Sequence, residues 1–188
     1  MNIHQLTKHV TLAVACVAAL VIARVALARA ERTLPTPTLE QRVLRSNDLE
    51  GFVSLSCPLP VTDADAWAGA QLSSSGLRRN GFVTGLSEKL HSVVRDADAV
   101  SAVAEFGTAD GAQHEVQDEY AAARRSAAFA VPGVPRARGF MFDDHGTETQ
   151  TVLFSDGRFQ YLVRAGAASR TQVVAVARSL YRRLHGRA

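Results

Sequence analysis

Residues Gln150 to Arg164 constrain the fold of this chain more than any other stretch. Two runs rich in aromatic and β-branched residues, TVLF from Thr151 and RFQYLV from Arg158, flank Asp156-Gly157. That dipeptide suits a two-residue type I′ loop, so the stretch predicts a β-hairpin. The register sets Phe154 opposite Phe159, Val152 opposite Tyr161 and Gln150 opposite Val163, which gathers the large side chains on one face. A single hairpin is marginal in water, so this one requires further strands and a covering element.

The neighbouring segments supply both. Ser169 starts a helix through His185, with Val173, Val176, Ala177, Leu180, Tyr181 and Leu184 on one side, and Gly186 stops it. Upstream, Gly81 to Val94 and Ala99 to Phe106 read as strands meeting around Asp96-Ala97-Asp98. Thr108 or Asp110 caps a helix running to Arg125, with Ala112, Val116, Tyr120 and Ala123 inward and Gln113, Glu115, Asp118 and Glu119 outward. Val131-Pro132-Gly133-Val134-Pro135 breaks that helix and leads into a strand from Arg138 to Phe142. Earlier still, Thr38 with Gln41 predicts a capped helix to Arg45, Phe52 to Ser56 a first strand, and Thr62 with Asp65 a helix through Leu72 that buries Trp67. Ser73 to Gly76 reads as a loop. Strands and helices in this order, joined by hairpins, predict an α+β fold: one antiparallel sheet covered by helices, a single domain after an N-terminal hydrophobic helix.

That N-terminal helix is VTLAVACVAALVIARVALARA, residues 10 to 30. From Val10 to Ala23 it carries no charge, yet at about 1.5 Å per residue it spans roughly 21 Å, short of the roughly 30 Å hydrocarbon core. It is either a signal peptide cut near Ala28-Arg29-Ala30 or an anchor extended through Leu27 with Arg24 reaching the interface. Lys8 before the run and Arg24, Arg29 and Arg32 within and after it do not fix an anchor's orientation; the preferred reading puts the remainder at the extracytoplasmic side of the cell membrane or secretes it. Residues 1–30 are thus the signal peptide or membrane anchor, 31–47 a Pro/Thr spacer with a short helix, and 48–188 the extracytoplasmic domain. Cys16 has too short an apolar run before it for a lipid-attachment site. Cys57 is then the one cysteine of a processed chain, and the fold rests on its core without an intramolecular disulfide.

Charge argues against a general polyanion binder. The net +3 belongs to Lys8, Arg24 and Arg29, so residues 31 to 188 are neutral, and no nucleic-acid partner is expected. Within that neutrality, residues 158 to 188 contain arginines and no acid. Arg178, Arg182 and Arg183 lie off the apolar stripe of the last helix. Their first role is to complement its dipole, and their second is contact with an anionic surface such as lipid headgroups.

Four patches carry a family likeness. DLEGF from Asp48, SAVAEFGTADGAQ from Ser101, FAVPGVPRARGF from Phe129 and TVLFSDGRFQYLVR from Thr151 resemble small exported or lipoprotein-type domains of actinobacteria. The broader pattern resembles the PsbP-like or LpqN-like α+β sandwich over most of residues 48 to 185. The resemblance implies a fold and a compartment, and no catalytic residue.

The chemistries that leave a mark in sequence are missing. His114-Glu115 begins like the zinc-hydrolase HExxH, but Asp118 stands at the second histidine position, so it reads as a solvated helix face. His91 and His145 have no neighbouring ligand pattern, and Asp63 and Asp65 are helix-start charges without the remaining ligands of a calcium loop. Cys57 would need a base such as His91 brought close in space to act as a nucleophile, and is expected instead as a small buried thiol. Neither a Gly-x-Ser-x-Gly elbow, a P-loop nor Gly-x-Gly-x-x-Gly occurs, so no cofactor is expected. What remains is a non-enzymatic, membrane-associated binding or accessory domain with a groove or sheet face for a small apolar ligand or a protein partner; the alternative is a secreted hydrolase with an unmarked active site. Mass spectrometry of the native N-terminus is expected to find either the intact chain in the membrane fraction or a start at Arg29 or Glu31. An intact chain in the soluble cytoplasm would overturn the export reading.

Overall fold

A computed structural model describes residues 37–186 except 47, 56, 69–73, 124 and 145–146. The apolar run 10–30 with Cys16, spacer residues 31–36, and His145 lie outside the described residues. The chain divides into Met1–Thr36 and a compact unit, Pro37–Ala188. No helix among the described residues is long and apolar enough to cross a membrane.

The compact unit is α+β. Its strands are β1 (Val53–Ser54), β2 (Phe82–Ser92), β3 (Ala97–Phe106), β4 (Arg125–Phe129), β5 (Arg138–Asp144), β6 (Thr147–Asp156) and β7 (Phe159–Gly166). Among the described residues these form one sheet in the order β1-β2-β3-β7-β6-β5-β4, antiparallel at every pairing. Among the described residues four α-helices accompany it: α1 (Ala64–Ala68), α2 (Ser74–Arg79), α3 (Ala109–Ala122) and α4 (Arg170–Leu184).

Both faces of the sheet are apolar, because side chains alternate along the strands and both sets are largely hydrophobic. On one face Leu86, Leu90, Ala99, Val103, Val152, Phe154, Tyr161 and Val163 meet Val173, Val176, Ala177 and Leu180 of α4. Phe159 and Leu184 pack at the edge of this core, so the residues expected to join helix and hairpin do so. Phe154 and Tyr161 stack, ring centroids 4.7 Å apart. On the other face Val116 of α3 covers Phe140 and Leu153, while Ala112, Leu77 and Trp67 cover Ala104, Phe106 and Phe82.

The hairpin holds, but its turn moves. Asp156 pairs with Phe159, so Phe154 faces Tyr161, Val152 faces Val163 and Gln150 faces Ala165. The two loop residues are Gly157 and Arg158, with Gly157 at φ 55 and Arg158 outside the left-handed region. That is the pattern of a type II′ turn, which needs Gly at its first central position only. A shift of two residues leaves every side chain on its expected face.

Other elements differ from expectation where packing overrides local preference. α3 stops at Ala122, and Arg125–Phe129 becomes the edge strand β4, its backbone satisfied by β5. The Phe129 ring lies over Gly139, where a Cβ would come within 2.4 Å of it. Ser74 to Gly76, expected to loop, opens α2, since Leu77 is fully buried against Phe106. The helix expected from Thr38 is a single 3₁₀ turn, Leu39–Gln41, and the first strand shrinks to Val53–Ser54. α1 is capped by Asp63, whose Oδ1 accepts from Asp65 N at 2.9 Å, instead of by Thr62.

After its 3₁₀ turn the N-terminal segment crosses the α4 face. Val43, Leu44, Leu49 and Phe52 are buried there. Leu44 N donates to Ser101 Oγ (2.9 Å), and Arg42 Nη1 donates to Tyr161 OH (2.6 Å) with its guanidinium 3.7 Å from the Phe159 ring centroid. Burial pushes the Tyr161 phenol up to about 12, against the opposing pull of Arg42. Leu180→Ala is expected to lower stability by about 2 to 5 kcal/mol, read as a lower denaturant midpoint; an unchanged midpoint would mean the helix presents another face.

Candidate functional site

A concavity lies between α3 and the loop that leads into β5. It holds about 330 Å³, near the lower end for small-molecule sites. Gln113, Val116 and Gln117 line it from α3, Arg136, Ala137 and Arg138 from the loop and the start of β5, and Ser155 from β6.

Local sequence fixes both walls. Thr108 caps α3 by accepting from Gly111 N at 3.0 Å, and Gly111 lies so close to Asn80 that a Cβ there would meet Asn80 O at 2.1 Å. The opposite wall is the Pro-rich loop, which wraps the end of the sheet: Val131 and Val134 sit in the α4-side core, while Arg136 reaches α3. Arg136 adopts φ 57, a left-handed conformation rare outside Gly and a mark of local strain. Its Nη1 donates to Gln113 Oε1 at 2.8 Å. The Arg138 guanidinium lies 5.4 Å from the Tyr120 ring centroid, and Tyr120 packs edge-on against Phe140.

On the other flank α3 turns Glu115 inward and leaves Glu119 half-buried, contrary to the outward placement expected of both, while Asp118 is exposed as expected. Glu115 is buried and accepts from Asn80 Nδ2 at 2.9 Å; burial raises its pKa, Asn80 lowers it and the charge of Asp118 raises it. Asp118 accepts from Arg79 Nη2 at 2.7 Å. Glu119 accepts from Gln160 Nε2 at 2.7 Å, and burial raises its pKa to about 7 despite the nearby charge of Arg164. Helical periodicity gave no sign of this, because it assigns polar residues outward and cannot see Asn80 or Gln160 waiting on other elements.

The three arginines singled out on the last helix are placed differently from one another. Arg178 is exposed beside Gly133, whose Cβ position is 3.2 Å from Arg178 Nε. Arg183 donates to Asp48 (Nη1 to Oδ2, 3.0 Å) and to Val43 O (Nη2, 2.9 Å), so it ties the N-terminal segment to α4. Arg182 is exposed. Among the histidines, His91 Nδ1 is 2.8 Å from Asp98 Oδ1, and His114 is exposed on α3. Cys57, expected as a buried thiol, is instead exposed in the stretch after β1, where no core element covers it among the described residues. Among the described residues no cluster of His, Cys, Asp and Glu is suited to hold a metal ion.

Neither a protein-family model nor a curated protein matches the sequence. The fold, however, is similar to a solved structure: the extracellular domain of PknH from Mycobacterium tuberculosis, with TM-score 0.58 and 13% identity over 82% of this chain and 100% of that one. At this identity the likeness concerns the fold. It agrees with the expected α+β architecture, and it does not extend to the PsbP-like or LpqN-like resemblance.

The half-buried Glu119 has a measurable consequence. A carboxyl raised from 4.5 to about 7 binds more protons folded than unfolded between those pH values, so it lowers stability as pH rises through that window and by a constant amount above it. Glu119→Gln, which keeps an acceptor for Gln160, is expected to raise stability by on the order of 1 to 3 kcal/mol at pH 8 and by little below pH 4.5. Denaturation curves at the two pH values check this, and equal effects at both would show that the Glu119 pKa is the same folded and unfolded.

Proposed function

We propose that this chain is a non-enzymatic accessory domain on the extracytoplasmic side of the cell membrane, or released from it, and that the groove between α3 and the 131–138 loop is its ligand site. The observation that carries the compartment is the likeness to an extracellular domain along the whole of that domain's length, taken with the apolar run 10–30 ahead of the compact unit. Its concave site is lined by two arginines, two glutamines and a serine around Val116 and Ala137, a set that can orient a small molecule by hydrogen bonds and charge.

Arg178 and Arg182, one turn apart on α4, offer a second surface, to an anionic membrane or a protein partner. Arg183 serves the fold, holding Asp48 and the Val43 carbonyl.

The compartment is tested with the full chain fused at its C-terminus to alkaline phosphatase, which is active only outside the cytoplasm, in an actinobacterial host. Phosphatase activity in cells or medium is expected. An inactive fusion, with activity from the matching β-galactosidase fusion, would overturn the proposal.

A further inference from the structure

We infer that the groove beside α3 selects small molecules bearing a carboxylate or phosphate group, and that Arg136 and Arg138 supply the selectivity. The inference rests on reading this groove as the binding site and adds the class of ligand.

Three observations carry it. The first is the sign of the wall: among the described residues its charged side chains are Arg136 and Arg138, and no acid lines it. The acids nearest in sequence are engaged elsewhere. Asp156, which follows Ser155, takes His185 Nε2 at 3.2 Å, and Glu115 and Asp118 of α3 are engaged by Asn80 and Arg79. The second is the state of the two guanidiniums. Arg136 is held by a neutral amide, Gln113, and Arg138 lies by the Tyr120 ring. Among the described residues neither forms an ion pair with a carboxylate, so both keep donors for an anion. Guanidinium forks match carboxylate and phosphate oxygens in geometry as well as charge.

The third observation is the backbone at Arg136. A φ of 57 favours Gly, and the loop already uses Gly at 133, where φ is 83. Position 136 instead carries a long cation at a strained angle, with its side chain over α3. Strain of this kind persists where the side chain serves a purpose beyond stability. Gln117 and Ser155 add hydrogen-bond donors near the arginines, and Val116 and Ala137 provide an apolar floor. The volume suits a compact ligand with a short apolar body and one anionic head.

The test is calorimetric titration of the full-length chain with phenyl phosphate, benzoate and uncharged benzyl alcohol. At least one anion is expected to bind and the alcohol is not. Arg138→Gln and Arg136→Gly are each expected to weaken anion binding by about tenfold, as loss of a charge-assisted hydrogen bond would, whereas Arg158→Ala, outside the groove, leaves it unchanged. Arg136→Gly should in addition keep or raise the thermal midpoint, because it relieves the strained φ. Displacement of the bound anion by short-chain phosphatidic acid would identify the natural source as a lipid headgroup, and failure to displace it a free metabolite. Equal binding of the alcohol, no binding of either anion at low salt, or a folded Arg138→Gln chain with full affinity would each overturn the inference. So would a lowered midpoint for Arg136→Gly, which would make Arg136 a clamp on Gln113. Anion binding by a chain whose phosphatase fusion is inactive would leave the groove standing and remove only the compartment.

Discussion

The structure depends on a sheet that is apolar on both faces. Such a sheet cannot leave either face in water, since each buried large side chain is worth about 1.5 to 3 kcal/mol relative to exposure. α4 and the N-terminal segment cover one face, α1 to α3 the other. The hairpin β6–β7 lies near the middle and feeds both layers: Phe154 and Tyr161 point to α4, Leu153 to α3. Everything else is arranged around the need to close these two layers.

The N-terminal segment shows how closure recruits polar chemistry. Its course over the sheet is set by Val43, Leu44 and Phe52, but it is held in register by Arg42 on Tyr161, by Ser101 on the Leu44 amide, and by Arg183 on Asp48. Arg42 is nearly fully buried, at 6% exposure. A charge in that position is tolerable because its donors reach Pro37 O and Tyr161 OH and its face rests on Phe159. Arg183, noted in sequence for its charge, belongs to this clamp.

α3 divides two environments. Its inner flank holds Glu115 and Glu119 against amide donors, where burial raises both pKa values. Its other flank faces Arg136 and Arg138 across the groove. One helix thus separates the buried Glu115 and half-buried Glu119 from an opening lined by two arginines.

Much of the architecture was legible in the sequence because it follows from short-range rules. Gly157 between β-rich runs made a hairpin inevitable, Thr108 and Ser169 marked helix starts, and the stripe Val173, Val176, Ala177, Leu180 named the buried face of the last helix. Details that depend on a partner far along the chain were not legible. Which residue takes the first turn position between β6 and β7, whether Ala123 to Phe129 continues a helix or pairs with β5, and whether Glu115 turns outward all depend on neighbours that periodicity does not contain. The groove belongs to the same class. Gln113, Arg136 and Ser155 lie on three elements, and only packing α3 across the end of β6 brings them together. Sequence determined that this chain would build an antiparallel sheet covered by helices, because alternation and turn chemistry are local. The tertiary structure alone decided where charge would be buried and where it would line an opening, because burial is a property of what lands opposite.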